Sequence, residues 1–365
     1  MALYMDRHDV SPAVTAENVA ELHRQDLKIQ HLYNCRGLTY WFDEKRSTAF
    51  CLIDAPDKQS LQEMHAKAHG QVPNQIIEVE ASIVESFLGR IEDPEMSQNT
   101  ELNIINDPAF RTIMAVKISR NTQPESQSNL ADSREIKWKN TICKLILNFE
   151  GKIVKQTDNY FLVSFKSVSK AINCSRKIRS SLRGFIKKLG EKDFNLKIGI
   201  SAGVPVNENE FFFEDTIKLA NRLSQVPYDS ILISSEVKDL YYSENANTFL
   251  KTKSLFFSFF PADEKIFTQL FDFMESSYSN AFLTIHDFVK SLGMSKSKLY
   301  RKVLLFTGKS LTPFIRDYRL NEALILLKQN KHNLSEVAYQ TGFTSLSYFS
   351  KCFHKKYGEV PSALL

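Results

Sequence analysis

The chain has 365 residues with 47 Lys and Arg against 42 Asp and Glu, a formal net charge of +5, and 43% of its residues are hydrophobic. That length is too great for one small sensor domain, so several cores are expected. No signal peptide and no apolar run of membrane-spanning length is read, and the cluster from Leu255 to Phe260 is short and interrupted by serine. Cysteines at 35, 51, 143, 174 and 352 show no paired spacing, which argues for a reducing cytoplasm and against a disulfide framework.

Residues 1–92 are expected to form a first domain, closed by a polar linker from Asp93 to Pro108. The pattern predicts a strand over 2–8, a helix over 16–31, strands over 36–43 and 47–54, a helix over 57–69 and a strand over 75–79. A hairpin around Asp43 to Ser47, with the two helices crossing between strands, gives a split βαβ layout of ferredoxin-like type. Five of the chain's eight histidines lie here: His8, His23, His31, His65 and His69. His65 and His69 share a helix face at i,i+4, and His8 ends the first strand near where that helix passes, so the three are candidate metal ligands. Imidazole suits nickel, zinc or copper, and the spacing does not choose among them. The runs Met5–His8, Thr39–Glu44, Ala49–Pro56 and His65–Gly70 resemble a small ferredoxin-like bacterial family with nickel-binding members. That resemblance implies a metal-sensing role with nickel first among the ions; an organic effector is the alternative.

A middle domain is expected over 109–260. Its segments Arg111–Ile118, Gly151–Lys155, Phe161–Phe165, Leu196–Gly203 and Asp215–Leu223 resemble, in order, the class III adenylate and guanylate cyclase catalytic domain, again with a ferredoxin-like core. Such enzymes hold two metal ions on two aspartates. The resemblance places Lys117 at the first aspartate and Asn159, within Asp158-Asn159-Tyr160, at the second; Lys218 replaces a nucleotide-orienting asparagine, while Arg222 matches the family's transition-state arginine. It therefore implies a non-catalytic domain, with no catalytic residues, that supplies a dimer surface. A nucleotide cyclase fused to a DNA-binding domain is the competing reading.

Residues 265–365 are expected to form an all-α domain. Ile285, Phe288, Val289 and Leu292 mark an amphipathic helix, Gly293 a turn, and Ser295 the cap of a helix ended by Gly308. A connecting helix with Pro313 in its first turn runs to about Gln329; at 1.5 Å per residue its roughly 17 residues reach about 25 Å. Asn333 caps a third helix, Gly342 turns, and Ser345 caps a fourth that ends at Gly358, with Tyr348, Phe349 and Phe353 on its core face. The plan is two helix-turn-helix units, a double-stranded DNA reader. This segment carries 14 Lys and Arg against 7 Asp and Glu, whereas residues 1–95 carry 9 against 16, so phosphate contact is expected at one end. Met294–Lys302, Thr312–Ile315, Val337-Ala338 and Gly342–Lys351 closely resemble the DNA-binding domain of the AraC family of bacterial transcription regulators. That resemblance places Ser297, Tyr300 and Arg301, and Leu346, Ser347 and Lys351, toward the major groove. The reading is a cytoplasmic regulator of multidomain α+β architecture, two ferredoxin-like sandwiches before a double helix-turn-helix domain, acting on DNA as a homodimer with no membrane partner.

Overall fold

The computed structural model describes residues 1–94, 102–120, 129–189, 194–208, 210–228, 230–245, 256–329 and 333–364. Residues 95–101 of the expected linker and Leu255 of the apolar cluster lie outside the described residues.

Strands β1 (Ala2–Asp9), β2 (Arg36–Asp43), β3 (Thr48–Ala55) and β4 (Gln75–Glu78) form an antiparallel sheet in the order β2-β3-β1-β4. Helix α1 (Ala16–Ile29) starts at a capping box in which Thr15 and Asn18 satisfy each other's backbone N–H groups. It ends two residues earlier than its sequence pattern, passing into a 3-10 turn over Gln30–Tyr33. Helix α2 (Lys58–Ala68) is capped by Asp57, whose carboxylate accepts from the Ser60 N–H. Alternation along the strands gives the sheet two apolar faces. Tyr4, Tyr40, Phe42 and Ile53 pack with Val19, Ala20, Leu61 and Met64 of the helices, whereas Met5, Trp41, Phe50, Leu52 and Ile77 face the other way.

That second face does not meet solvent. Helix α3 (Ala81–Leu88), which the sequence pattern did not single out, leads into a second sheet of β5 (Arg111–Arg120), β6 (Lys152–Gln156), β7 (Tyr160–Phe165), β8 (Phe194–Gly203) and β9 (Ile231–Ile233), ordered β6-β7-β5-β8-β9. One face of this sheet, with Met114, Val116, Phe161, Val163, Ile198 and Ile200, packs against α4 (Asn129–Asn148), α5 (Val168–Leu189) and α7 (Ser235–Glu244). The other presents Ile113, Ala115 and Leu162 to Met5, Trp41, Phe50 and Leu52 of the first sheet, with Val84, Phe87 and Leu88 of α3 and Ala220 of α6 (Glu214–Leu223) completing a joint core. Arg111 fastens this junction. It is 1% exposed and donates from Nε to the Phe87 carbonyl at 3.1 Å, from Nη2 to that of Leu88 at 3.0 Å, and from Nη1 to that of Pro108 at 2.6 Å. Two carbonyls left open at the end of α3 thereby gain charged donors. By contacts, the two sheets form one compact unit and residues 258–365 fall in another. The middle sheet's apolar face is therefore not open to a second copy of the chain.

The second unit is all helical: α8 (Pro261–Ser277), α9 (Ile285–Leu292), α10 (Lys296–Thr307), α11 (Leu311–Lys328), α12 (Leu334–Gln340) and α13 (Leu346–Tyr357). Helix α8 lay outside the sequence reading, and it packs Phe267 and Phe271 against Phe306 and Phe314. Ser295, Asn333 and Ser345 cap their helices as the pattern requires, and Gly293, Gly308 and Gly358 end theirs in the left-handed region. Gly342 has φ +81°, and a Cβ there would sit 2.6 Å from the Tyr278 carbonyl oxygen and 2.9 Å from Arg319 Nε, so no other residue fits this turn without displacement. Phe349 and Phe353 are buried with Leu320, Leu327 and Val337. Tyr348 was expected on that face but is 53% exposed: it lies one residue, about 100°, around the helix from Phe349.

Candidate functional site

The histidine cluster is built where β1 passes beneath α2. Asp6 and His8 are two apart on β1 and so face the same side, toward the helices, and Asp6 pairs in register with Cys51 of β3. His65 lies one helical turn before His69 on α2, and Asp26 comes from the last turn of α1. The three candidate ligands His8, His65 and His69 come together here, but they do not close on one point. His65 stands in the middle with its two ring nitrogens facing opposite ways: Nε2 is 2.9 Å from Asp6 Oδ2, and Nδ1 is 3.1 Å from Asp26 Oδ1. His8 lies on the Asp6 side, its Nε2 3.4 Å from Asp6 Oδ1, and His69 on the Asp26 side, its Nε2 3.1 Å from Asp26 Oδ1. Two potential donor groups result, one of Asp6, His8, Cys51 and His65 and one of Asp26, His65 and His69, each with its ligand atoms within 4.8 Å of one another. A cavity of about 380 Å³ opens beside both.

The electrostatics are those of an ion pair network out of water. Burial disfavours a charged imidazole at His65, but hydrogen bonds and charge from Asp26 and Asp6 outweigh it and raise the pKa to about 10. Burial likewise works against the Asp6 carboxylate, yet His8 and His65 hold it well below the ordinary range; Asp26 is lowered by His65 and His69 against the same opposition. The Cys51 thiol is pushed well above its usual value by burial and then by Asp6 and Asp26. Sequence reasoning missed Asp6, Asp26 and Cys51. For Asp6 the signal was present, as an acidic residue at i,i+2 from His8 on a strand face otherwise apolar.

In the middle domain, Lys117 lies on β5 with Nζ 5.9 Å from the Tyr160 ring centre, and burial, followed by the charge of Lys197, lowers its pKa to about 8. Tyr160 donates its hydroxyl proton to Asn221 Oδ1 at 2.9 Å, and Lys218 pairs with Glu214 at 2.5 Å. Arg222 is 4% exposed. Asp158 turns outward, its side chain 96% exposed and bridged to Lys139 at 3.0 Å. Among the described residues no carboxylate cluster of metal-binding geometry lies in this domain.

In the helical unit the predicted reading positions fall on α10 and α13, the second helix of each unit. Ser297, Tyr300, Arg301, Ser347 and Lys351 are exposed, and Leu346 is half-buried, packed at the edge of the core around Phe349.

A ferredoxin-like sheet domain carrying a histidine–carboxylate cluster, a second sheet domain packed on it, and paired helix-turn-helix units define a multidomain protein of mixed α/β build. Residues 4–79 match the family described as nickel responsive protein SCO4226-like, and residues 288–365 match a helix-turn-helix domain family. The chain thus carries an SCO4226-like domain at its N-terminal end and an AraC-type helix-turn-helix domain at its C-terminal end. Over 100 residues it is 39% identical to histidine kinase P4 of Formosa agariphila, a match covering 27% of this chain and 7% of that protein. Over 79 residues it is 33% identical to the uncharacterized HTH-type transcriptional regulator YdeC of Bacillus subtilis, covering 22% of this chain and 27% of that one. The chain thus spans well under two thirds of the length of these relatives. A solved adenylate/guanylate cyclase/hydrolase from Silicibacter pomeroyi is 21% identical and covers 37% of this chain and 80% of that one, at a TM-score of 0.32.

Proposed function

We propose that this chain is a transcription regulator of AraC type that reads double-stranded DNA through residues 265–365 and senses a divalent transition metal, nickel foremost, through residues 1–92. The observation that carries the first half is the pair of capped helix-turn-helix units on either side of α11, whose second helices present Ser297, Tyr300 and Arg301, and Ser347 and Lys351, to solvent. In that reading Arg301 makes a bidentate contact to guanine, and Leu346 supports its helix from the core side. The donor chemistry supports the second half: imidazole nitrogens with carboxylate oxygens are ligands that late first-row metals take. His8, His65 and His69 are the proposed imidazole ligands, with Asp6 and Asp26 as carboxylate partners. One ion takes one nitrogen of His65, so His8 and His69 serve opposite sides of that ring.

Residues 109–260 act in this reading as a non-catalytic domain. A cyclase would need cations held where Lys117 brings a positive charge, and Asp158 points away to Lys139. The regulator binds paired half-sites as a homodimer in the cytoplasm. The test uses the full chain purified without an affinity tag: duplex selected from a random pool, then titrated with nickel present and with chelator. Sequence-preferring binding that changes with nickel supports the proposal; binding without sequence preference, or cyclic nucleotide production from ATP or GTP abolished by Arg222→Ala, overturns it.

A further inference from the structure

The sequence places the basic excess at the C-terminal end, yet among the described elements the one with the most Lys and Arg is α5 of the middle domain. Its 22 residues, Val168–Leu189, include seven Lys and Arg and no Asp or Glu. Packing sorts them. Ala171, Ile172, Cys174, Ile178 and Leu182 are buried against the second sheet at 0–4% exposure, while Arg176, Lys177 and Arg183 are exposed on the opposite side, with Arg179 half-buried between them. Here the helix borders a shallow concavity of about 700 Å³ whose lining side chains are cationic, neutral or apolar, with no acid among them. Lys170, nearer the helix start, is ion-paired to Glu150.

We infer that the outer face of α5 is a second DNA-contacting surface, one that grips phosphates without reading bases. This rests on the reading of the chain as a DNA-binding protein. The kind of polyanion follows from the packing. A basic amphipathic helix that lies on a membrane needs its apolar face free to enter the lipid, and the apolar face of α5 is spent on the core around Ile172, Ile178 and Leu182. What remains is a run of cations with no hydrophobic partner surface. From Arg176 to Arg183 the run covers about 10 Å along the axis at 1.5 Å per residue, the length of about three successive phosphates on one strand at 3.4 Å each.

Such contacts release counterions, so each contributes a slope of about −0.9 to log affinity against log salt. Losing three lowers the slope by about 2.7 and weakens binding at 0.15 M salt on the order of 10²-fold. The experiment measures binding of the full chain and its R176Q/K177Q/R183Q variant to a selected duplex and to a scrambled one, from 0.05 to 0.3 M salt. The glutamines keep polar side chains at surface positions, and far-UV circular dichroism checks that the fold is unchanged. The expected result is an equal loss on both duplexes, a shallower salt slope and an unaltered preference between them. If the wild type binds neither duplex, the reading as a DNA-binding protein has failed. If the wild type binds and the variant keeps its slope, or if the variant loses only binding to anionic lipid vesicles, this inference has failed and the DNA-binding reading stands.

Discussion

Replacing His65 by glutamine is expected to destabilise the N-terminal sheet by about 3–5 kcal/mol in the absence of metal, the range for removing one partner of a buried ion pair. The structure says why the upper part of that range applies. Asp6 and His65 are both completely buried and Asp26 is 2% exposed, so the two carboxylates depend on protein partners rather than bulk water for their charge. Without it Asp6 Oδ1 keeps the Cys51 N–H at 2.9 Å and His8, but Oδ2 loses the contact it has at 2.9 Å; Asp26 keeps only His69. Two carboxylates, each having lost a charged hydrogen bond of about 1.5–3 kcal/mol, remain in the core. The assay is urea unfolding at pH 7 with chelator present, followed by far-UV circular dichroism. A companion D6N/H65Q variant should recover part of the loss, because it removes one of the stranded charges. A His65→Gln loss below about 1 kcal/mol, or a double variant less stable than the single, would refute the view that a buried ion pair network holds this corner together.

Arg301→Ala is expected to cost about 1–3 kcal/mol on the preferred duplex and to relax preference at one position, checked by competition binding at moderate salt; unchanged preference removes Arg301 from the reading set. Lys117 is a lysine with a lowered pKa, so the unfolded chain binds its proton more readily, and the resulting penalty is full below about pH 8 and fades as pH rises toward 10.5. Lys117→Met should therefore raise stability at pH 7, by at most about 3 kcal/mol, and the gain should vanish by pH 10.5 in parallel urea titrations. Gly342→Ala, which combines a positive φ with a 2.6 Å approach to the Tyr278 carbonyl, should lower the melting temperature and abolish DNA binding; a variant of wild-type stability would show that the turn relaxes freely.

Much of this architecture was legible because local signals agreed with the fold. In the helical unit, Ser295, Asn333 and Ser345 cap, and Gly293, Gly308, Gly342 and Gly358 turn or stop, each by chemistry confined to a few neighbouring residues. Helix α8 had the same kind of signal, with Pro261 at its start, Asp263 and Glu264 in its first turn, and Phe267, Leu270, Phe271 and Met274 on one face; it was hidden by its position ahead of the recognised motif. Helix α3 had less to offer. It is eight residues long, Glu80 makes no side-chain cap bond, and it is held by packing and by Arg111, a contact 23 residues away in sequence. At the histidine cluster the i,i+4 pair was local and visible. Asp26 was not, since it reaches His65 from another helix, 39 residues distant.

Along β1 and β3 the same few residues serve two masters. Asp6, His8 and Cys51 point into the ionisable cluster, while their immediate neighbours Met5, Phe50 and Leu52 are locked between the two sheets. A strand's two faces move together, so a displacement of β1 or β3 at the cluster would also be felt at the seam with the middle sheet. The same seam decides where the chain can be cut. A fragment ending near residue 92 would bare Met5, Trp41, Phe50 and Leu52, and its counterpart would bare Ile113, Ala115 and Leu162. Divided there, the protein would yield two sticky halves rather than a sensor and a spacer.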